Sequence, residues 1–365
     1  MDAYVLGTGM HKPVQRGENL RLEEMVYHTA VQALENAGVS RGQLDHVTLG
    51  ACDELDGRSI SSMLMAMPAG AYLTDEIRVT DSGASAFCLA TARLLSGEFE
   101  LGMVASWCKS SKTDLEQVMR FRGEPFFTRP LGMNLAASDA LLAQAVSRRY
   151  SIGADEIAQR VVDNYARAAR NPRGIGHAVP QHDAIATSPF EALPVRSGHR
   201  APLTDGAVCM VLASGDWLER NPGHRPLARI GGVGWATDSY RLDGERLGAL
   251  NCARTAWSMA SSRMGGETVD VFEIEAQTGF HEAAVVRALG ISADVAISPS
   301  GGPFAQNPYF CTGLVAAAEA VLQVAGRAGP VQVENARRAA AHSCHGYAHQ
   351  GSVIMIFEEC GGGNA

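Results

Sequence analysis

Residues 82–97 read Ser-Gly-Ala-Ser-Ala-Phe-Cys-Leu-Ala-Thr-Ala-Arg-Leu-Leu-Ser-Gly, a run of mostly small residues that ends at a glycine. The run predicts a helix over 82–96 that stops at Gly97, because glycine favours helix ends. An apolar strand over 101–106 follows it. A second alanine-rich run, over 312–323, repeats the pattern. Helices with such small side chains can pack closely between two sheets.

Helix and strand signals occur twice in the same order. Residues 21–37 have apolar positions at helical spacing and lead into the strand 46–50. In the second half a helix over 250–264 leads into the strand 269–274. Two βαβαβ halves of this kind predict an α/β fold, duplicated, with five layers in the order α/β/α/β/α.

The repeat divides the chain into two predicted domains. The first spans 1–222 and contains an inserted loop domain over about 107–187, which is more polar and richer in arginine and has one clear helix, 155–170. Strand character resumes at 207–213. The second domain spans 223–365.

Composition narrows the class of protein. The 365 residues are 46% hydrophobic and 19% charged, as in globular proteins. The net charge of −8 disfavours a nucleic-acid or anionic membrane surface. The chain begins without a signal-peptide pattern and has no apolar stretch of membrane-spanning length, so we expect a cytoplasmic protein.

The sequence gives little support for a metal site. The eight cysteines form no CxxC pair. His342, His345 and His349 are close in sequence but have no matching pair of carboxylates, so no metal is expected. Most of the cysteines are expected to be buried thiols.

Several motifs together carry a family resemblance. The more specific ones are Asp205-Gly-Ala207, within Pro202-Leu-Thr-Asp-Gly-Ala207, and the Ser-Gly-Gly turn of Pro299-Ser-Gly-Gly302. The C-terminal Gly346-Tyr-Ala-His-Gln-Gly-Ser-Val-Ile354 agrees with them. Over nearly its whole length the chain resembles the thiolase superfamily. Within it the chain resembles the branch of the lipid-transfer-protein thiolases and the phloroglucinol acetyltransferase catalytic subunit. The resemblance implies the layered, duplicated fold and chemistry on an acyl thioester.

The position of the family's nucleophilic cysteine falls on Thr80. In these enzymes the cysteine lies 17 residues before the glycine that ends the alanine-rich helix, which here is Gly97. A threonine hydroxyl has a far higher pKa than a thiol and needs an adjacent base to attack a thioester. Thr80 is therefore a candidate nucleophile or, alternatively, the N-cap of the helix.

Two further motif positions are also altered. Glu275-Ala-Gln-Thr278 stands where the family has Asn-Glu-Ala-Phe or His-Asp-Ala-Phe, and Gln306-Asn-Pro308 stands where it has Gly-His-Pro. Glu275 is a candidate acid or base, and Asn307 can donate to an oxyanion through its amide. The alternatives are an exposed carboxylate at a strand end and a structural turn.

The last motif retains its cysteine. Cys344-His-Gly346 matches Cys-x-Gly, whose cysteine moves the proton at the substrate α-carbon in thiolases. Tyr347 follows, and the thiolase-like steroid side-chain aldolases use a tyrosine as acid or base. Cys344 and Tyr347 are therefore candidate catalytic residues, with an inert core thiol as the alternative for Cys344.

Three functions remain open, and the enzymatic ones are preferred. The first is aldol, retro-aldol or Claisen-type chemistry next to an acyl thioester without an acyl-enzyme. The second is a covalent acyltransferase that uses Thr80. The third is a catalytically silent subunit, against which an open cavity with Glu275 and Cys344 close together would count. The expected substrate is an acyl-CoA or acyl-carrier thioester, and no bound cofactor is expected.

Partners follow from the resemblance. It implies a homodimer, or a heterodimer with another thiolase-like chain, formed through the sheet edge near the nucleophile position, and an OB-fold partner protein. Arginines of the insert offer a basic patch for a CoA or carrier phosphate: Arg120, Arg122, Arg129 and Arg160. The resemblance also places five glycines in turns next to the thioester: Gly83, Gly301, Gly302, Gly313 and Gly346.

Overall fold

A computed structural model describes residues 2–17, 20–262, 264 and 268–361. Within these ranges the strands are β1 (Ala3–Met10), β2 (His46–Gly50), β3 (Asp75–Val79), β4 (Leu101–Lys109), β5 (Phe190–Ala192), β6 (Val195–Arg196), β7 (Asp205–Ser214), β8 (Ala228–Thr237), β9 (Val271–Ile274), β10 (Ala296–Ile297), β11 (Arg338–His345) and β12 (Gly351–Glu358). The helices are α1 (Leu22–Ala37), α2 (Asp53–Asp56), α3 (Ser61–Met65), α4 (Gly83–Leu95), α5 (Leu115–Arg122), α6 (Leu135–Tyr150), α7 (Ala154–Arg170), α8 (His182–Ala186), α9 (Gly215–Arg220), α10 (Gly244–Ala249), α11 (Asn251–Ser261), α12 (Gly279–Leu289) and α13 (Thr312–Val324).

The sheet shows the duplication directly. Its strands lie in the order β10-β9-β11-β12-β8-β1-β7-β4-β2-β3. The first five and the last five have the same order and directions: two parallel pairs at the outer end, then two antiparallel pairs. They meet where β1 pairs with β8 through Tyr4 opposite Arg229 and Val5 opposite Ala228.

The two small-residue helices form the middle layer. Buried residues of α4 and α13 share one apolar cluster with strands of both halves. Helix α1 packs on the outer face of the first half, and α11 and α12 pack on that of the second. The predicted duplicated α/β fold with α/β/α/β/α layers is confirmed.

Close contact between helix and strand depends on two glycines. A Cβ at Gly83 would lie 2.6 Å from Ser106 Oγ, and one at Gly313 would lie 2.1 Å from Ser343 Oγ. Both glycines are helical residues, so placing them in turns was wrong. Their role is to let α4 and α13 press against the sheet.

The insert has more regular structure than its composition predicts. The predicted helix 155–170 is confirmed as α7, but α5 and α6 also form. Strand β4 continues to Lys109, beyond the predicted boundary at 107, because Trp107 and Cys108 are fully buried. Trp107 Nε1 also donates to Asp56 Oδ2 at 3.0 Å, which fixes the ring against α2.

Buried carboxylates of the second half attach the insert. Glu319 on α13 is 1% exposed and accepts from Arg173 Nε at 2.8 Å and from Asn171 Nδ2 at 3.0 Å. Glu282 on α12 accepts from Arg160 Nη1 at 3.0 Å. Arg160 is thus committed to an ion pair and was wrongly included in the basic patch. These contacts join α7 and the residues after it to α12 and α13 of the second half.

None of the helices in the described ranges is both long and apolar enough to cross a membrane.

Candidate active site

A cavity of about 240 Å³ lies where the start of α4, the insert and the loops after β9 and β11 meet. It is lined by Leu55, Asp81, Ser82, Met119, Arg122, Glu124, Thr128, Leu135, Asp139, Arg200, Tyr240, Glu275, Gln277, His281, Tyr309, Phe310 and residues 344–350. Most of the wall therefore comes from residues that follow strands of the two halves of the sheet, such as β3, β9 and β11.

Glu275 lies directly after β9 and is 5% exposed. Its Oε2 accepts from Ser343 Oγ at 2.6 Å and from the Cys344 amide at 3.3 Å. Burial raises the pKa of Glu275 to about 7, although the hydrogen bonds from Ser343, Cys344 and Gln277 oppose the rise. A carboxyl group with this pKa can both accept and donate a proton near neutral pH.

Cys344 lies beside Glu275 at the end of β11. Its Sγ is 3.9 Å from the Glu275 carbonyl oxygen, and the residue is half-buried. Burial, and then the charge of Glu275, raise the pKa of the thiol well above its ordinary value. The thiol is therefore held protonated, in contrast to a nucleophilic cysteine.

Asn307 is fully buried and does not line the cavity. Its side-chain amide pairs reciprocally with that of Gln277, at 3.0 and 2.8 Å, and its Oδ1 also accepts from Thr312 Oγ1 at 2.9 Å. Gln277 in turn lines the cavity and hydrogen-bonds Glu275. Asn307 is placed to hold Gln277 and not to meet a substrate oxyanion.

Tyr347 presents its ring to the cavity, but its hydroxyl is engaged elsewhere. The hydroxyl donates to the carbonyl oxygen of Met119 and lies 3.3 Å from that of Met133. Burial raises its pKa to about 12. In this arrangement Tyr347 anchors the insert.

Thr80 is exposed and is not among the residues that line the cavity. Its carbonyl oxygen accepts from Arg122 Nη2 at 3.1 Å. The N-cap of α4 is Ser82, whose side chain accepts from the Ser85 amide, so the interpretation of Thr80 as the cap was wrong. Cys311, the nearest alternative thiol in sequence to the Asn-Pro motif, is fully buried.

Tyr309 was missed by the sequence analysis, although it is two residues after Asn307. It lines the cavity half-buried, and its hydroxyl has no hydrogen-bond partner among the described residues. Burial, and then the charges of Asp139 and Glu275, raise its pKa well above the ordinary value. The hydroxyl is therefore a protonated donor that is free to meet a ligand.

A second group of polar side chains was also missed. Asp139 Oδ2 accepts from Arg200 Nη1 at 2.9 Å, while its Oδ1 lies 3.1 Å from His281 Nε2. The His281 ring contacts that of His349, with centroids 4.4 Å apart. These four residues are too far apart in sequence for a motif to connect them. Among the described residues, no set of three or more His, Cys, Asp or Glu side chains is arranged to hold a metal.

Comparisons of the sequence with known proteins find thiolase relatives. The family described as thiolase C-terminal domain-like matches residues 281–359. A curated acetyl-CoA acetyltransferase of Methanothermobacter thermautotrophicus is 26% identical over 94% of this chain and 96% of its own.

Solved structures share the fold at low identity. The Ltp2-ChsH2(DUF35) aldolase superposes with a TM-score of 0.82 at 14% identity, covering 98% of both chains. The acetyl-CoA acetyltransferase of Syntrophomonas wolfei superposes with a TM-score of 0.77 at 17% identity, covering 98% of this chain and 99% of that one.

Proposed function

Because the chain belongs to the thiolase superfamily, we propose that it makes or breaks a carbon–carbon bond beside an acyl thioester by aldol or retro-aldol chemistry, without an acyl-enzyme. One observation carries the proposal. Glu275, with a pKa of about 7, lies in the cavity beside the protonated thiol of Cys344, whereas Thr80 lies outside the cavity lining.

In the cleavage direction the substrate is a β-hydroxyacyl thioester. The Glu275 carboxylate takes the proton of the β-hydroxyl, the Cα–Cβ bond breaks, and the β-carbon leaves as an aldehyde or ketone. The electron pair of the broken bond passes to the thioester enolate. The Cys344 thiol then protonates the α-carbon, and Glu275 returns its proton to the thiolate. The reverse sequence is an aldol addition.

The enolate needs a hydrogen-bond donor at its oxygen. We assign this role to Tyr309, because its hydroxyl is protonated, lines the cavity and has no partner among the described residues. Asn307 acts as a positioning residue through Gln277, and Tyr347 holds α5 over the cavity.

The geometry gives less support to the other two functions. A covalent mechanism needs a base beside the Thr80 hydroxyl, but Thr80 is exposed, and it is its backbone carbonyl that accepts a hydrogen bond from Arg122. A silent subunit needs no open cavity, yet here a cavity of about 240 Å³ contains a carboxyl group titrating near pH 7.

Two exposed apolar surfaces support the expected partners. Strand β3 is at one end of the sheet, and the segment that leads into it carries exposed apolar side chains: Ile60, Met63, Met67, Tyr72 and Leu73. We propose that a second thiolase-like chain, identical or related, covers this edge. A second surface beside the cavity, formed by Phe121, Phe126, Phe127 and Leu131, is our proposed contact for an OB-fold partner.

A cleavage assay tests the proposed reaction. Incubation with β-hydroxyacyl-CoA thioesters, with and without the partner protein purified from the native host, should release a carbonyl compound and a shortened acyl-CoA in equal amounts. Thr80→Ala should retain activity within about two-fold, and intact-mass analysis should detect no acyl adduct. An adduct on Thr80 would show that the mechanism is covalent, and loss of activity in Thr80→Ala would contradict a mechanism in which Thr80 takes no part.

The pH profile should report Glu275. Because the ionised carboxylate is the base for cleavage and burial raises its pKa to about 7, kcat/KM for cleavage should rise with pH through about 7 and then level off. An ordinary exposed carboxylate would place the rise near pH 4. A profile that is flat between pH 5 and 8 would contradict the assignment.

A further inference from the structure

One part of the cavity wall carries polar atoms that the protein itself does not satisfy. His349 is 3% exposed and lines the cavity, yet neither of its ring nitrogens has a hydrogen-bond partner among the described residues. Arg200 Nη2 and His281 Nδ1 are likewise buried without a partner in those ranges. Leaving such atoms unpaired costs about 1–3 kcal/mol each, so a wall of this kind is adapted to a polar ligand.

The backbone supports the same conclusion. Ala348 and His349 both have left-handed backbone conformations, with φ of 46° and 53°. Non-glycine residues adopt this conformation at a cost, and it persists where the surroundings impose it, often at binding sites. The loop after β11 therefore holds the His349 ring in the cavity wall at a cost in conformational free energy.

The charges around His349 identify the type of polar group. Arg200 is already paired with Asp139 at 2.9 Å and with Glu191 at 2.8 Å. The cavity is lined by four carboxyl groups and two guanidinium groups: Asp81, Glu124, Asp139, Glu275, Arg122 and Arg200. Burial, and then the neighbouring His281, His342 and Arg246, lower the pKa of His349 well below its ordinary value, so its ring is neutral and offers one donor and one acceptor. A carboxylate on the ligand would meet an excess of negative charge, whereas a hydroxyl or ketone would not.

The position relative to the reacting groups places this oxygen on the acyl chain. Tyr309 is close enough to both groups to experience the charge of Glu275 as well as those of Asp139 and Arg200. A substrate that reacts at Glu275 therefore extends its acyl chain past Tyr309 towards His349. We propose that the preferred substrate is an acyl thioester with an additional uncharged oxygen, a hydroxyl or ketone, that hydrogen-bonds His349. This inference rests on the proposed function.

Binding of unreactive thioesters tests this without relying on turnover. Calorimetry would compare butanoyl- to octanoyl-CoA with analogues that carry one hydroxyl at each position beyond the β-carbon. We expect one hydroxylated analogue to bind about 10- to 100-fold more tightly than the plain chain of equal length. A dicarboxylic acid mono-CoA thioester of that length should bind no more tightly than the plain chain.

Variants of the histidine identify the contact. His349→Phe should abolish the preference, and His349→Asn, which retains a donor and an acceptor and tolerates the left-handed backbone, should retain part of it. His342→Phe is the matched control, because His342 is also buried and contacts His349 but does not line the cavity.

Each other outcome is decisive. Equal binding of plain and hydroxylated chains, tightest binding of the dicarboxylic thioester, absence of binding by every member, or a preference that survives in His349→Phe would each overturn the inference. A clear preference without cleavage of any β-hydroxyacyl-CoA would leave the inference standing and refute the proposed reaction.

Discussion

Glu275→Gln is expected to lower kcat/KM for cleavage by about 10³-fold. Glutamine has the same shape and can still accept from Ser343 and the Cys344 amide, which bind Oε2 at 2.6 and 3.3 Å. It cannot take the proton of the β-hydroxyl, and it cannot return a proton to the Cys344 thiolate. Both halves of the proposed proton cycle therefore fail, while the fold is retained.

Glu273→Gln is the matched control. Glu273 is on β9, two residues before Glu275, is fully buried, and accepts from Ser300 Oγ at 2.6 Å. Burial, and then the charge of Glu319, raise its pKa to about 8, but Glu273 does not line the cavity. If Glu273→Gln keeps activity within a few-fold of the original and both variants have the same melting temperature, the loss in Glu275→Gln is due to removal of the catalytic base. Full activity in Glu275→Gln would exclude Glu275 from the mechanism.

The duplicated fold could be predicted from the sequence because the patterns that indicate it lie within short stretches of the chain. A run of small residues before Gly97, and its repeat over 312–323, identify the two middle helices without knowledge of any long-range contact. The end of β4 was misplaced for the opposite reason. Burial of Trp107 depends on Asp56, which is distant in sequence and accepts from the indole at 3.0 Å.

Residues of the candidate site could be predicted only where the spacing of a motif determines their position. Spacing placed Glu275 and Cys344 at the ends of strands that prove to be neighbours, and the structure brings them together. The positions of the other candidates depend on contacts that spacing does not encode. The Tyr347 hydroxyl binds a carbonyl of the insert, and the Asn307 amide faces Gln277. The catalytic roles of all five predicted residues stay predictions.

Gly313→Ala should reduce both stability and activity, because it acts on the atoms that support Glu275. A Cβ at this position would lie 2.1 Å from Ser343 Oγ, 2.3 Å from Ser343 Cβ and 2.8 Å from Glu275 Oε2. Helix α13 or strand β11 must shift, and overpacking of this kind costs about 1–3 kcal/mol or more. We expect a loss of that size in urea unfolding and a fall in kcat/KM of at least about 10²-fold.

The double variant Gly313→Ala with Ser343→Gly separates the two effects. Removing the Ser343 side chain removes the two shortest contacts, at 2.1 and 2.3 Å, so stability should recover in part. The contact of 2.8 Å with Glu275 Oε2 remains, and Glu275 lacks the bond that Ser343 Oγ donates at 2.6 Å. Because that hydrogen bond lowers the pKa of Glu275, its loss should move the rise in the pH profile above about 7. Gly244→Ala, at a position where an added Cβ meets nothing within 4 Å, should leave activity unchanged. If the double variant recovered activity with an unshifted profile, Ser343 would serve packing alone, and α13 would have no part in setting the proton affinity of Glu275.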